Sequence, residues 1–337
     1  MFQVSVAPGN ASLRTEGTRE GITEGMRVMA SSKRAGNDFG FQFSAMASVC
    51  EVRIARLGRR KAEQLARLAI DEVRRIECKF SRYRAASVVS RINAAAGSGR
   101  PVDVDAETAG LIDFAARLHG LSDGLFDITS GALRKAWDFR AGRLPRADAI
   151  EALLPLVGWN KVVWRGARIE LPLQGMELDF GGFGKEYAAD RAASLLQERG
   201  VSHGLVNLGG DIRVIGPRPD GQPWQLGVQH PRERDRLLAE VPMASGALAT
   251  SGDYERYFEL DGARYCHVLD PRTGWPVTAW RSVSVVAPAC LAAGALTTVA
   301  MLKGTDALPY LAAQNVGYLA VDQQGQLHQR EAALTLN

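Results

Sequence analysis

The sequence predicts an α+β fold, on three observations. From Arg60 to Lys79, and on to Phe80, the apolar positions Ala62, Leu65, Ala69, Val73, Ile76 and Phe80 recur at steps of three and four, the signature of an amphipathic helix. Residues 255–268 place Asp261-Gly262 between two apolar-alternating arms, a strong hairpin signal. Helical stretches concentrate early (about 58–155) and short strands later, without a regular strand–helix alternation.

In chain order, residues 41–57 alternate apolar and polar positions and predict strand. Ser87 can cap a short helix through Asn93, and Asp105 another to about Leu118. A further helix is expected over Ala147–Leu154. Lys161–Trp164 and Arg168–Leu171 flank a glycine-containing turn and read as a hairpin. Met176–Phe180 reads as a strand, then GGFG, then a helix from Lys185 to about Glu198. Strands follow at His203–Asn207, Asp211–Ile215, Gln225–Gln229 and Ser282–Val286. Ala289–Lys303 is small and apolar and predicts a buried helix, followed by one more helix and a strand pair.

The 337 residues carry a net charge of +4 with both signs mixed, too mild and dispersed for a nucleic-acid binder. The four cysteines (Cys50, Cys78, Cys266 and Cys290) lie too far apart for a C-x-x-C clip. Cys50, Cys78 and Cys290 read as buried small hydrophobes. Residues 1–37 are polar and read as a flexible leader, with the folded unit over 38–330. That leader has no apolar signal segment and no lipid-anchor cysteine, and no run approaches a membrane span of ~20 residues. As written, the chain is expected to be cytoplasmic.

The segment Gly181-Gly182-Phe183-Gly184-Lys185-Glu186-Tyr187 lies close to two nucleotide loops but is neither. Tyr187 stands where a dinucleotide fingerprint needs its last glycine, and Glu186 where a P-loop needs Ser or Thr. A glycine-rich turn opening a helix can hold a phosphate on its amides, or can simply be a tight turn.

Seven segments, in order from Met46 to Gly304, resemble the ApbE family of flavin transferases. They are Met46-Ala47-Ser48; FSRYRAASVVSRIN (80–93); DGLFDITSGAL (123–133); DFGGFGKEYAADRA (179–192); NLGGDIRVIG (207–216); the long ATSGDYERYFELDGARYCHVLDPRTGWPV (249–277); and GALTTVAMLKG (294–304). The resemblance implies a single α+β, T-fold-like unit with a mixed or antiparallel sheet and a helical subregion. It also implies transfer of FMN from FAD to a Thr or Ser of an acceptor protein, with release of AMP and with Mg²⁺ as cofactor. The acceptor pattern would be similar to D-x-x-[ST]-G-A-[ST].

By match to these motifs, Met46, Tyr83, Leu125, Phe126, Asp127, Asp179, Lys185, Gly210, Ser251 and Val268 would contact FAD, and Thr250 and Gly252 would share a polar loop with Ser251. Lys185 would suit a phosphate as a point charge. His267 would be the general base, or else would bond only to the backbone or to Asp270. Asp270–Gly274 reads as a structural turn. Mg²⁺ would be held by Thr298 and the Gly182 carbonyl, with an Asp where this chain has Gly294. Glu186 replaces the family's Gly after the lysine, and Ala47-Ser48 replace Gly-Thr. Without the Asp, an alternative function is an FAD-binding module that performs no transfer. Hydrolysis of FAD by water is a third.

Overall fold

The computed structural model describes residues 26–30, 38–233 and 235–331. Its centre is a nine-stranded antiparallel sheet in the order β1-β2-β3-β7-β8-β11-β14-β15-β16. These strands are β1 (Met26–Ala30), β2 (Asp38–Ala45), β3 (Ser48–Ala55), β7 (Gly204–Leu208), β8 (Asp211–Gly216), β11 (Gly246–Gly252), β14 (Trp280–Ala287), β15 (Gly317–Asp322) and β16 (Leu327–Arg330). Three small sheets surround it: β4 (Val102–Asp103) with β6 (Arg168–Glu170) and β5 (Val163–Trp164); the ribbon of β9 (Trp224–Gln229) and β10 (Leu237–Met243); and the hairpin of β12 (Tyr257–Leu260) and β13 (Ala263–Cys266). The helices are α1 (Arg59–Phe80), α2 (Val88–Ala94), α3 (Ala106–Leu121), α4 (Ala147–Glu151), α5 (Gly184–Glu198), α6 (Cys290–Lys303) and α7 (Ala307–Ala313). The α+β expectation holds.

Helices α1, α5 and α6 cover one face of the sheet. The apolar stripe of α1 is buried along its length, from Ala62 to Phe80. Helix α5 turns Ala188, Ala189, Ala192 and Ala193 inward, and such small residues let it approach α1 and α6 closely. Helix α6 touches β11 and β14 on one side and α5 and α7 on the others. A helix enclosed in this way has little use for a polar face, which accounts for its small apolar sequence. Its first amides, from Cys290 and Leu291, donate to Asp190 of α5 at 2.9 and 2.8 Å. The opposite face is covered by the β9–β10 ribbon, whose Trp224, Leu226, Val241 and Met243 pack on Ile212, Val214 and Leu248.

Several expectations need correction. Residues 41–57 form two strands, because Met46 and Ala47 both adopt left-handed conformations (φ 52° and 58°) and reverse the chain. That pattern suits a two-residue hairpin and is unusual without Gly or Asn. Strand β1 falls within the stretch read as a leader; the rest of that reading lies outside the described residues. The helix at 147 is shorter than expected and passes into a 3₁₀ turn, Leu154–Leu156, once Pro155 is reached. Residues 250–252 end strand β11 rather than forming a loop, since they pair with Ser284–Ser282 of β14. Cys78 is exposed on the outer side of α1.

Met176–Phe180 is not a ladder strand, although Met176, Leu178 and Phe180 are buried. Side chains and loops take up its backbone groups. The Asn93 amide donates to the Leu178 carbonyl (3.0 Å) and accepts from the Leu178 N–H (2.7 Å), while the Asp179 N–H donates to the Ile128 carbonyl (2.8 Å). Asn93 thus replaces a neighbouring strand. Asn93→Ala should cost about 2–4 kcal/mol of stability in urea denaturation, since it orphans two buried backbone groups at ~1–2 kcal/mol each. A loss below ~0.5 kcal/mol would show that the clamp does not hold this segment.

Candidate active site

The segment fixed by Asn93 leads into the glycine turn 181–184 and so sets where α5 begins. The Phe180 carbonyl accepts from the N–H groups of Phe183 (3.2 Å) and Gly184 (2.7 Å). No side chain caps the first amides of α5, and a helix start of this kind favours an anion. Gly182 is needed here for space: a Cβ would stand 3.2 Å from the Phe126 ring.

This helix start forms one wall of a cleft of about 460 Å³. Of the residues named from the sequence, Met46, Tyr83, Leu125, Phe126, Asp127, Asp179, Gly182, Lys185, Ser251, His267, Val268 and Thr298 all line it. They come from the β2–β3 turn, the loops around α2 and α3, the start of α5, the end of β11, the segment after β13, and α6. Gly210 does not. It lies exposed in the β7–β8 turn, where its φ of +98° and its N–H bond to the Asn207 carboxamide (2.9 Å) serve the chain reversal.

Tyr83 is 77% exposed at the rim, with the Arg82 guanidinium 5.8 Å over its ring, so its other face is open to stacking. Leu125 and Phe126 are buried, and Phe126 packs on Phe183 at 6.1 Å. Asp127 already has partners. It accepts from the Thr129 N–H (2.8 Å), the Thr129 hydroxyl (2.6 Å) and the Trp159 N–H (2.8 Å). Its observed work is therefore to shape the 127–129 turn that presents Phe126.

Charge is unevenly distributed. The cleft is lined by four basic residues (Arg82, Arg134, Lys185 and Arg256) and six acidic ones (Glu77, Asp127, Asp179, Glu186, Asp211 and Glu255). Asp179 is paired with Arg134 (3.0 Å) and Arg82 (3.2 Å) and accepts from the Gly181 N–H (2.8 Å). Burial pushes its pKa up, but these partners outweigh burial and hold it below the usual carboxylate range. Lys185 pairs with buried Asp211 at 2.8 Å. Burial disfavours the ammonium, yet Asp211 and Glu186 overcome this and raise its pKa. Glu77 accepts from the Met46 N–H (2.8 Å) and secures the strained turn. Arg82, Arg134, Arg256 and Asp211 were not singled out from the sequence, although each lies within or beside a motif segment.

Two groups in the cleft are under-partnered. The Nδ1 atom of His267 is buried and has no hydrogen-bond partner. Only the residue's backbone N–H is engaged, with the Arg256 carbonyl at 2.9 Å. Burial and the positive charges of Arg134, Arg256 and Lys185 push the imidazole pKa down to about 3. The second group is Glu186, which is buried and has an Oε2 without a partner. Burial, reinforced by Asp211, raises its pKa against the pull of Lys185. Such an atom fits a cation, whereas a group already bonded on both oxygens would not. Among the described residues, no three His, Cys, Asp or Glu gather into a metal cage. The Cys266 thiol is pushed up to about 11 by burial, which argues against a nucleophilic thiolate.

Gly294 lies on α6, one turn before Thr298 and behind the cleft lining. The Thr298 hydroxyl is 3.4 Å from that of Ser251, which is itself 2.8 Å from that of Thr297. Thr297 donates back to the Gly294 carbonyl (2.8 Å), so of the two threonines it is Thr298 that lines the cleft, beside Ser251.

Two predictions follow from these charges. Lys185→Met should destabilise the fold by about 3 kcal/mol, because it strands Asp211 in the interior, and Lys185→Met/Asp211→Asn should recover most of that loss. Equal instability of the single and double variants would contradict the pairing. The second concerns His267. Above its ordinary pKa of ~6.5 the ring is neutral in both the folded and unfolded states. Below that, the unfolded chain takes up a proton that the folded ring resists until about pH 3, so stability falls as pH drops through this window. Wild type should therefore lose more stability than His267→Gln between pH 7 and pH 5 in denaturant titrations. Parallel losses would mean that the ring is not held neutral.

Comparison with known proteins gives a consistent result. The profile of the ApbE family matches residues 46–321. An FAD:protein FMN transferase of Vibrio cholerae is 33% identical over 234 residues, 68% of this chain and 70% of that protein. Another from Salmonella typhimurium is 33% identical over 236 residues, 67% of each chain. Among solved structures, the ApbE protein of Thermotoga maritima superposes with a TM-score of 0.81 at 32% identity, covering 88% of this chain and 97% of that one. The flavin transferase ApbE of Vibrio cholerae gives 0.79 at 25% identity, covering 89% and 98%. The chain belongs to the ApbE family.

Proposed function

We infer that this chain is an FAD:protein FMN transferase. One observation carries this reading: the helix start at 181–184, the cations Arg134, Lys185 and Arg256, the open ring of Tyr83 and His267, whose buried Nδ1 has no partner, all line one cleft. This set suits a dinucleotide, with an aromatic rim for a flat ring system and a cationic helix start for a pyrophosphate. Its volume lies in the ~300–1,000 Å³ range typical of small-ligand sites.

In the reaction, an acceptor hydroxyl oxygen bonds to the FMN-side phosphorus, the bridging P–O bond breaks, and AMP leaves with that bond's electron pair. The hydroxyl proton must go to a base. Our candidate is His267, because it lines the cleft, its ring is held neutral, and its Nδ1 has no partner. The same cations that depress its proton affinity are the ones an anionic pyrophosphate would offset. Burial is the larger cause of that depression and would remain, so substrate binding would relieve only the part due to the cations. Lys185 and Arg134 hold charge where it develops on the phosphate oxygens. Thr298 and the Gly182 carbonyl would be neutral donors to a divalent cation, which would supply further positive charge to the pyrophosphate. The acceptor is a protein Thr or Ser in a segment similar to D-x-x-[ST]-G-A-[ST].

The test is incubation with FAD, Mg²⁺ and a peptide carrying that pattern, read by mass spectrometry. The expected result is a gain of one FMN on the peptide with equimolar AMP, slowed ~10²–10⁴-fold in His267→Gln. Bound FAD without AMP release would instead make the chain a flavin carrier, and AMP with free FMN would make it a hydrolase.

A further inference from the structure

The family's sequence pattern puts a carboxylate at the position of Gly294, and this chain does not. We propose that Glu186 replaces it: the carboxylate for the divalent cation is carried by α5 instead of α6 and reaches the same place from the opposite side. The proposal rests on the transferase reading for what the cation serves. It rests on geometry for which residue holds it.

The geometry is specific. A Cβ built on Gly294 would lie 2.5 Å from Glu186 Cγ, 2.6 Å from Oε1 and 2.8 Å from Cδ. The Glu186 side chain therefore occupies the space that a side chain at 294 would enter. Residues 294 and 298 are four apart on α6 and share a face, so this space lies one turn from the Thr298 hydroxyl. Glu186 and Thr298 line the same cleft, and so does Gly182. The two departures from the family pattern, Gly to Glu at 186 and Asp to Gly at 294, are thus one exchange seen from two helices. In the conformation observed, Glu186 takes the space that a side chain at 294 would need.

The surrounding charges point the same way. Of the six acids of the cleft, Asp179, Asp211, Asp127 and Glu77 have hydrogen-bond or ion-pair partners, and Glu255 is exposed to water. Glu186 Oε2 is buried with none, a costly arrangement for a polar atom unless a ligand completes it. Magnesium typically takes one or two carboxylates, neutral oxygens and substrate phosphates rather than an all-protein cage, which suits one Glu with a threonine hydroxyl and a carbonyl.

The experiment titrates Mn²⁺ into the full chain, alone and with ADP, and follows free Mn²⁺ by electron paramagnetic resonance. Wild type should bind one ion. Glu186→Gln should bind at least ~10-fold more weakly. Gly294→Asp alone should not tighten binding, because its side chain collides with Glu186. The exchange Glu186→Gly/Gly294→Asp should restore it. Thermal melting without metal checks that each variant folds. Wild-type affinity in Glu186→Gln, or no Mn²⁺ binding by wild type with or without ADP, overturns the proposal. Transfer to the peptide that persists in EDTA would also overturn it while leaving the transferase reading intact. One bound ion lost in Glu186→Gln, in a chain that never labels the peptide, would uphold the ligand assignment and remove the transferase reading.

Discussion

A carboxylate taken out of water must be compensated, and this constraint organises the cleft. Several acids converge where α1, α5 and α6 meet the sheet, and Asp127, Glu186 and Asp211 among them are buried. The protein answers with individually placed partners. Asp179 has two guanidiniums and an amide, Asp211 has Lys185, and Asp190 has the first amides of α6. These bonds also fix geometry. Asp179 and Asn93 set the approach to α5, Asp211 ties the start of α5 to the start of β8, and Asp190 joins α5 to α6. The helices that build the site are therefore held by the charges that the site must tolerate. Among the buried acids of the cleft, Glu186 is the exception, with an Oε2 that no group of the protein compensates.

The same constraint explains the state of His267. A histidine that is buried, and then surrounded by cations, is a poor base, and its ring stays neutral down to about pH 3. An incoming polyanion changes the field that depresses it. Such a polyanion would relieve the share of the depression that comes from the cations and leave the share that comes from burial.

Much of this could be read in the sequence. Twelve of the residues named from it meet in one cleft, and they do so because motif segments scattered over 46–304 mark the places where the chain must come close to a ligand. What could not be read was direction and pairing. Met176–Phe180 has the alternation of a strand, but its backbone is satisfied by Asn93, a contact 85 residues away that no local pattern encodes. Residues 250–252 look like a loop because they are small and polar; the ladder with β14 makes them strand. Gly210 belongs to a glycine pair whose positive φ serves the β7–β8 reversal, so its composition suggested a ligand contact that the turn itself explains. Asp127 was recognised, yet its oxygens are engaged with Thr129 and Trp159, because a motif shows that an acid is needed without showing what it holds. The pair of departures at 186 and 294 was visible, but its meaning depended on two helices 108 residues apart in sequence packing side by side.

An excess of acid in a cleft meant for a pyrophosphate makes a strong demand, since the substrate adds negative charge to a site that already has it. On the proposed reading, a cation held by Glu186 would bind cooperatively with the dinucleotide, and that coupling would be reciprocal. The most direct measurement is FAD affinity, read by quenching of flavin fluorescence across a series of Mg²⁺ concentrations without acceptor. The account predicts that FAD binding tightens as Mg²⁺ rises, and that this dependence largely disappears in Glu186→Gln. FAD binding that is equally tight with Mg²⁺ and with EDTA would contradict it.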